Sequence, residues 1–209
     1  MKLLLSLARL IDAINTRVGR SVIWLTLLVV VVSAANAVVR KVFNTSSNAW
    51  LELQWYLFGA MFLLTAGYTL LQNGHVRVDI LSSKLSRRAQ IWIEIIGSLF
   101  FLLPAAIIIM WLSWPMFMDS YLTNELSSNT GGLIRWPVKL LIPVGFLLLV
   151  LAGVSHLIKC VAFLCGKGPD PLGGTEGKTA EEELAEEIAR EAQEREAALI
   201  DQHGHEKGN

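Results

Sequence analysis

The sequence predicts an all-α, polytopic membrane protein with four transmembrane helices, and three observations predict it. Four apolar runs, at about 21–39, 50–71, 89–114 and 136–164, approach or exceed the roughly 20 residues a helix needs to cross a hydrocarbon core. Lysine and arginine cluster beside alternate ends of those runs. After Cys165 the composition turns from apolar to acidic.

The totals narrow the field. Of 209 residues, 53% are hydrophobic, which leaves little chain for a separate soluble catalytic domain. The zero net charge conceals a division: 13 basic and 6 acidic residues up to Gly166, then 5 basic and 12 acidic from Lys167 on. The basic residues follow the membrane edges without forming a compact patch, so they orient the chain and do not bind nucleic acid. Ten, among them Arg9, Arg17, Arg20, Arg87, Arg88 and Lys159, fall on one side; Arg40, Lys41, Arg135 and Lys139 fall on the other. That asymmetry predicts both termini in the cytoplasm of a bacterial inner membrane, with the 40–49 and 115–135 loops facing the periplasm.

Residues 1–20 read as an interfacial amphipathic helix. Leu3, Leu7, Leu10, Ile14 and Val18 recur at three- and four-residue steps, while Lys2, Arg9 and Arg17 can meet anionic headgroups. The plainer alternative is a cytoplasmic extension of the first span. Ala35-Asn36-Ala37 mimics a signal-peptide cleavage site, but the long leading segment and the apolar run beyond it favour an uncleaved anchor. The second run opens with Trp50, Trp55 and Tyr56, suited to the outer interface, and carries Glu52 and Gln54. The third holds Glu94 near its cytoplasmic start and Pro104 in its middle, where proline removes a donor and kinks the helix. The fourth begins with Trp136-Pro137, and Lys139 can snorkel outward one turn in.

Between the second and third runs, Asn73-Gly74 supplies a turn, and Val76, Val78 and Ile80 alternate with His75, Arg77 and Asp79. The outer loop is long enough for a short helix around 117–126 and ends in Asn129-Thr130-Gly131-Gly132, a hinge signal. Gly166-Lys167-Gly168-Pro169 stops the fourth helix. Residues 167–209 form an acidic cytoplasmic tail, partly helical or disordered, with a polar Glu- and Ala-rich stretch at 180–200.

Ionisable groups inside membranes are functional candidates by default. Glu52 lies within a turn of the outer interface: it binds a cation, pairs with an arginine of a partner, or stays solvated. Glu94 pairs with Arg87, Arg88 or a partner's cation, or sits exposed at the interface, or serves a coupling ion. The middles of all four runs lack Asp, Glu, Lys, Arg and His. That argues against a complete ion-driven carrier, which needs polar groups or broken helices at mid-depth. His156 is the single histidine within a run, so a haem held between two facing histidines has no ligand pair and the imidazole reads as satisfied locally. Cys160 and Cys165 fall on different helix faces and cannot make a four-ligand zinc site. The sequence has no phosphate-cradling glycine loop, metal-spaced cluster or nucleophile elbow, so neither enzyme chemistry nor a cofactor is expected.

Gly74-His75-Val76-Arg77-Val78-Asp79 resembles the loop signature of the small permease subunits of tripartite ATP-independent periplasmic (TRAP) transporters, the DctQ-like family. Glu52-Leu53-Gln54-Trp55-Tyr56 is similar to that family's Glu-x-x-x-Tyr pattern. The stretch from Gly132-Leu133-Ile134-Arg135-Trp136-Pro137 through Lys139 to Ile142-Pro143-Val144-Gly145-Phe146 most resembles the mannitol/chloroaromatic branch. The resemblance covers about residues 5–165. It implies a non-catalytic scaffold for a large permease in a sodium-coupled importer of organic acids or related solutes, fed by a periplasmic substrate-binding protein. It further implies that Glu52 and Tyr56 pack the second span on the large subunit. Asp79 would cap a short helix at 80–85 or pair with Arg77. Arg135, Trp136 and Lys139 would set the depth of the fourth span, and the outer loops, with Arg40 and Lys41, would meet the binding protein. The alternatives are a self-sufficient four-span exporter, which would transport alone in liposomes, and a redox-complex anchor, which would show a haem spectrum.

Overall fold

A computed structural model describes residues 2–44, 47–72 and 85–172. The chain divides into two units, Met1–Pro171 and Leu172–Asn209, and among the described residues all the helices belong to the first. The helices are α1 (Lys2–Phe43), α2 (Asn48–Leu71), α3 (Arg87–Gly97), α4 (Leu103–Leu122) and α5 (Trp136–Leu164). One π-helical turn, Ser98–Leu102, joins α3 to α4. The described residues contain no strand; Leu126 and Ile134 make one isolated antiparallel bridge. Among the described residues three stretches are long and apolar enough to cross a membrane: Leu3–Phe43, Arg87–Leu122 and Trp136–Leu164. α2 has the length, at 24 residues, but is not among them; it carries Glu52 and Gln54 in its first two turns.

α1, α2 and α5 pack on one another, while α3–α4 leans on α5. The packing rests on small residues. A side chain at Gly19 would strike the Tyr68 ring, one at Gly145 the Leu63 backbone, and one at Gly67 both Asn15 and the Leu148 backbone. Close backbone approach is how helices associate where lipid removes the hydrophobic drive between them. Polarity is inverted relative to a water-soluble bundle. Asn15, Ser98, Ser113, Ser120, Ser155 and His156 are buried, while Phe101, Trp111 and Leu112 point outward, Trp111 at 75% exposure. An exterior of this kind suits hydrocarbon, not water.

Two sequence expectations need correction. The expected boundary at residue 20 does not break the helix: α1 runs continuously from Lys2 to Phe43. Gly19 is no hinge there, because its missing side chain lets Tyr68 sit against the backbone. The short helix for which the loop has room around 117–126 does not form as a separate element. α4 continues past 114 and through Pro115 to Leu122, which shortens the connection to α5 to 123–135. Phe117 and Ser120 bury themselves inward in that added length.

Pro104 acts two residues before its own position. It cannot donate to the fourth carbonyl before it, and its ring crowds that carbonyl. The chain answers with a wider turn in which the Leu103 amide donates to the Ser98 carbonyl, five residues back. Helix ends are closed by left-handed residues. After α4, Asn124 (φ 47°) allows the Glu125 amide to reach Ser120 O and its own amide to reach Tyr121 O. After α5, Gly166 (φ 68°) repeats the pattern, with the Lys167 amide on Ala162 O. Both are Schellman closures.

Candidate interaction site

The most organised polar cluster lies where the start of α2 meets the 123–135 loop. Glu52 is only 5% exposed. Its Oε1 accepts from the Ser127 hydroxyl and, at 2.8 Å, from Asn129 Nδ2; its Oε2 accepts from the Leu133 amide at 2.7 Å. The loop is wrapped around this carboxylate. The Ser127 amide donates to Leu133 O, and the Arg135 amide donates to Glu125 O. Asn48 Nδ2 adds a second tie from α2 to Thr130 O at 3.0 Å. Gly132 has to be glycine, since a Cβ there would come 2.8 Å from Glu52 Oε1 and closer still to Ser127. Gly131, at φ 72°, turns the chain. Tyr56, one turn below Glu52 on the same face, is half-buried.

A second acidic group organises the other edge of the loop. Glu125 receives the Lys139 ammonium and lies 3.7 Å from the Arg135 guanidinium. The Lys139 hydrogen bond, with help from the Arg135 charge, holds the Glu125 carboxyl below its ordinary 4.5. Arg135 also donates to Ser128 Oγ at 3.3 Å. Trp136 meets Tyr121 edge-on at 5.5 Å, and the aromatic chain continues through Phe117 to Trp114. Arg40 and Lys41 are exposed in the last turn of α1, beside the exposed Val42 and Phe43.

Toward the other end of the bundle, α5 is gripped on two faces. Ser155 Oγ donates to Asp12 Oδ1 at 2.6 Å, and Lys159 Nζ lies 2.5 Å from Asp12 Oδ2, tying α5 to α1. His156 Nε2 lies 3.3 Å from Glu94 Oε2 and 3.6 Å from Cys160 Sγ, tying α5 to α3. Arg87 does not reach Glu94; it bonds Asp170 at 2.6 Å and Gln90 at 3.1 Å. Asn15, fully buried, donates to Ile11 O, while its Oδ1 faces Gly67 without a hydrogen-bond donor.

Of the residues singled out in the sequence, Glu52, Arg135 and Lys139 come together around one loop, with Tyr56 and Trp136 alongside. Glu94 lies at the opposite end of the bundle. Gly74, His75, Arg77 and Asp79 lie outside the described residues, as do residues 173–209 of the expected tail. Sequence reasoning passed over Asp12, Asn15, Glu125, Ser127 and Ser155, and read Asn129 only as part of a turn. The one available signal was Asp12, an acid alone on an otherwise basic and apolar stretch. Among the described residues no group of three or more His, Cys, Asp or Glu could hold a metal ion.

The model of the family described as tripartite ATP-independent periplasmic transporters, DctQ component, matches residues 28–163, more than half of the chain. The chain belongs to that family. DctQ proteins are the small permease component of TRAP transporters, so this is a transmembrane transporter component. The matched segment runs from the middle of α1 almost to the end of α5 and contains the whole Glu52 cluster; Asp12 and Asn15 precede it. No curated protein and no solved structure matches the chain.

Proposed function

We propose that this DctQ chain is the non-catalytic scaffold of a sodium-coupled, binding-protein-dependent TRAP importer in a bacterial inner membrane. In this reading α2 is a fourth span, both termini are cytoplasmic, and the large permease holds the substrate and sodium sites. The observation that carries the reading is how the chain spends its acids. Asp12, Glu52 and Glu94 are each engaged by groups of the same chain near an end of the bundle. The stretches 21–39, 53–72, 95–118 and 140–155 contain no charged residue. A coupling ion needs polar ligands at mid-depth, and these helices offer none that is charged.

The Glu52 cluster then fixes the shape of the outer loop, and Arg40, Lys41 and Arg135 give that rim positive charge for a periplasmic binding protein. Glu52 and Tyr56 would act on the large permease by setting that shape and the seating of α2. The cargo is assigned to organic acids or related small solutes, and the branch to the mannitol/chloroaromatic type, on the Gly132–Phe146 resemblance. The experiment is affinity purification of the tagged chain from its native membrane, followed by reconstitution with and without what copurifies. A large multi-span permease should copurify, and sodium-driven uptake should require both permeases and the binding protein. Concentrative transport by this chain alone would refute the proposal.

A further inference from the structure

Between α2 and the α3–α4 rod the bundle leaves an apolar groove. Both elements pack on α5 and little on each other, so the space between them is floored by Phe146 and Leu149 of α5 and edged by Leu70 of α2. Two rows at four-residue steps form the opposite wall, one from Ile93 to Ile109 and one from Glu94 to Ala106. On an uninterrupted α-helix such rows would wander off the groove: at about 100° per residue, four-residue steps from Gly97 to Ile109 drift by about 120°. The π turn at Ser98–Leu102 absorbs one extra residue and returns about 100° of that drift. The bulge ahead of Pro104 is therefore what keeps the wall straight. Gly97 leaves room beside it, since a Cβ there meets nothing within 4 Å. Phe101 lines the groove and is also 74% exposed, so the groove opens to the exterior of the bundle.

The geometry points to an acyl chain of an amine-headed phospholipid, phosphatidylethanolamine, lying in this groove with its ammonium on Glu94. Width chooses a hydrocarbon chain over a helix. The groove holds about 560 Å³ over the roughly 22 Å that the helix climbs from Glu94 to Ile109, a section of about 25 Å² and so about 5 Å across. A helix with its side chains is about 10–12 Å across and cannot enter; a single hydrocarbon chain can. One leaflet's share of a roughly 30 Å hydrocarbon core is about 15 Å, so a chain that starts at the Glu94 end stays inside the groove for its whole length. Charge chooses the headgroup. Glu94 is the one ionisable residue lining the groove, and it ends the charge-free stretch 95–118 on that side. Trp92, exposed two residues away, suits the interface level. A carboxylate at this mouth disfavours an anionic headgroup and pairs with an ammonium. It has about four acceptor positions, so an ammonium joins the His156 contact without displacing it. A primary ammonium brings three N–H donors, whereas the quaternary one of phosphatidylcholine brings none.

The test places the intact chain in nanodiscs of equal phosphatidylethanolamine and phosphatidylcholine with matched chains, and counts the lipid that stays bound by native mass spectrometry. Wild type should retain phosphatidylethanolamine in preference. Glu94→Gln should lower that preference about tenfold, the loss of one charge-assisted hydrogen bond. Gly97→Leu, which puts a side chain into the open groove, should lower retention of both lipids; if it does not fold, Ala105→Leu is read in its place. Leu112→Ala, 67% exposed and outside the groove, should change neither. The inference falls if wild type shows no preference, if Glu94→Gln keeps it, or if the filled-groove variant retains lipid as wild type does. It falls too if that variant loses a copurifying membrane protein while lipid retention is unchanged, since the groove would then seat a partner's helix.

Discussion

Gly67→Ala should destabilise the bundle by an amount that the contact geometry sets. A methyl group at 67 would sit 2.9 Å from the Leu148 carbonyl oxygen and 3.1 Å from its carbonyl carbon, and closer still to Asn15 Oδ1. Leu148 cannot swing away, because the colliding atoms are backbone of α5. Asn15 is fully buried and would have to leave its rotamer. Overpacking costs about 1–3 kcal/mol, and a clash on two sides with one of them rigid belongs at about 3. Alanine's better helix propensity returns about 1 kcal/mol. The net loss is about 2 kcal/mol, roughly 4–8 °C in Tm for a chain of this size. Gly97→Ala is the matched control, since a Cβ there meets nothing within 4 Å and should leave Tm unchanged or slightly raised. Thermal unfolding of both variants in detergent decides it. Equal Tm values, or a Gly67→Ala variant as stable as wild type, would refute the three-helix contact as described.

Glu52→Gln keeps the size of the side chain but removes the charge that three donors address, so hydrogen exchange at the Leu133 amide and proteolysis within 123–135 should both accelerate. Asp12→Ala removes two charge-assisted bonds to α5 and should cost about 2 kcal/mol; a double-mutant cycle with Lys159→Met should return a coupling of about 1 kcal/mol. Glu125 titrates lower in the folded chain than its ordinary 4.5, so its contribution is fully present above that value and is lost as pH falls through the lowered one. Loop proteolysis should therefore rise on acidification below about pH 4.5, and Glu125→Gln should flatten that part of the profile.

The long apolar stretches were legible because hydrophobic length is a local property: 136–164 matches α5 residue for residue, and 50–71 falls two residues inside α2. Pro104 announced a break, though the chain resolved it as a π turn displaced toward the N-terminus and not as a simple kink. The run at 89–114 was cut short at Pro115, which the helix in fact carries, since one missing donor does not outweigh the burial of Phe117 and Ser120 beyond it. The polar pairings were not legible. Glu52 finds its partners more than seventy residues away, and Asp12 finds Ser155 and Lys159 more than a hundred and forty away. Nothing in local spacing records such distances. Asn129-Thr130-Gly131-Gly132 was recognisable as a turn, but that Gly132 must yield space to a carboxylate depends on how α2 approaches it.

The two grips on α5 come from consecutive residues, Ser155 and His156, backed one turn later by Lys159 and Cys160. Neighbours along a helix point about 100° apart, so the pairs pull in different directions across the same axis. A turn of α5 in either sense lengthens at least one of them. The helix is thereby fixed in azimuth as well as depth, and a force applied to its Trp136 end arrives at the Ser155–Cys160 turn as displacement with little twist.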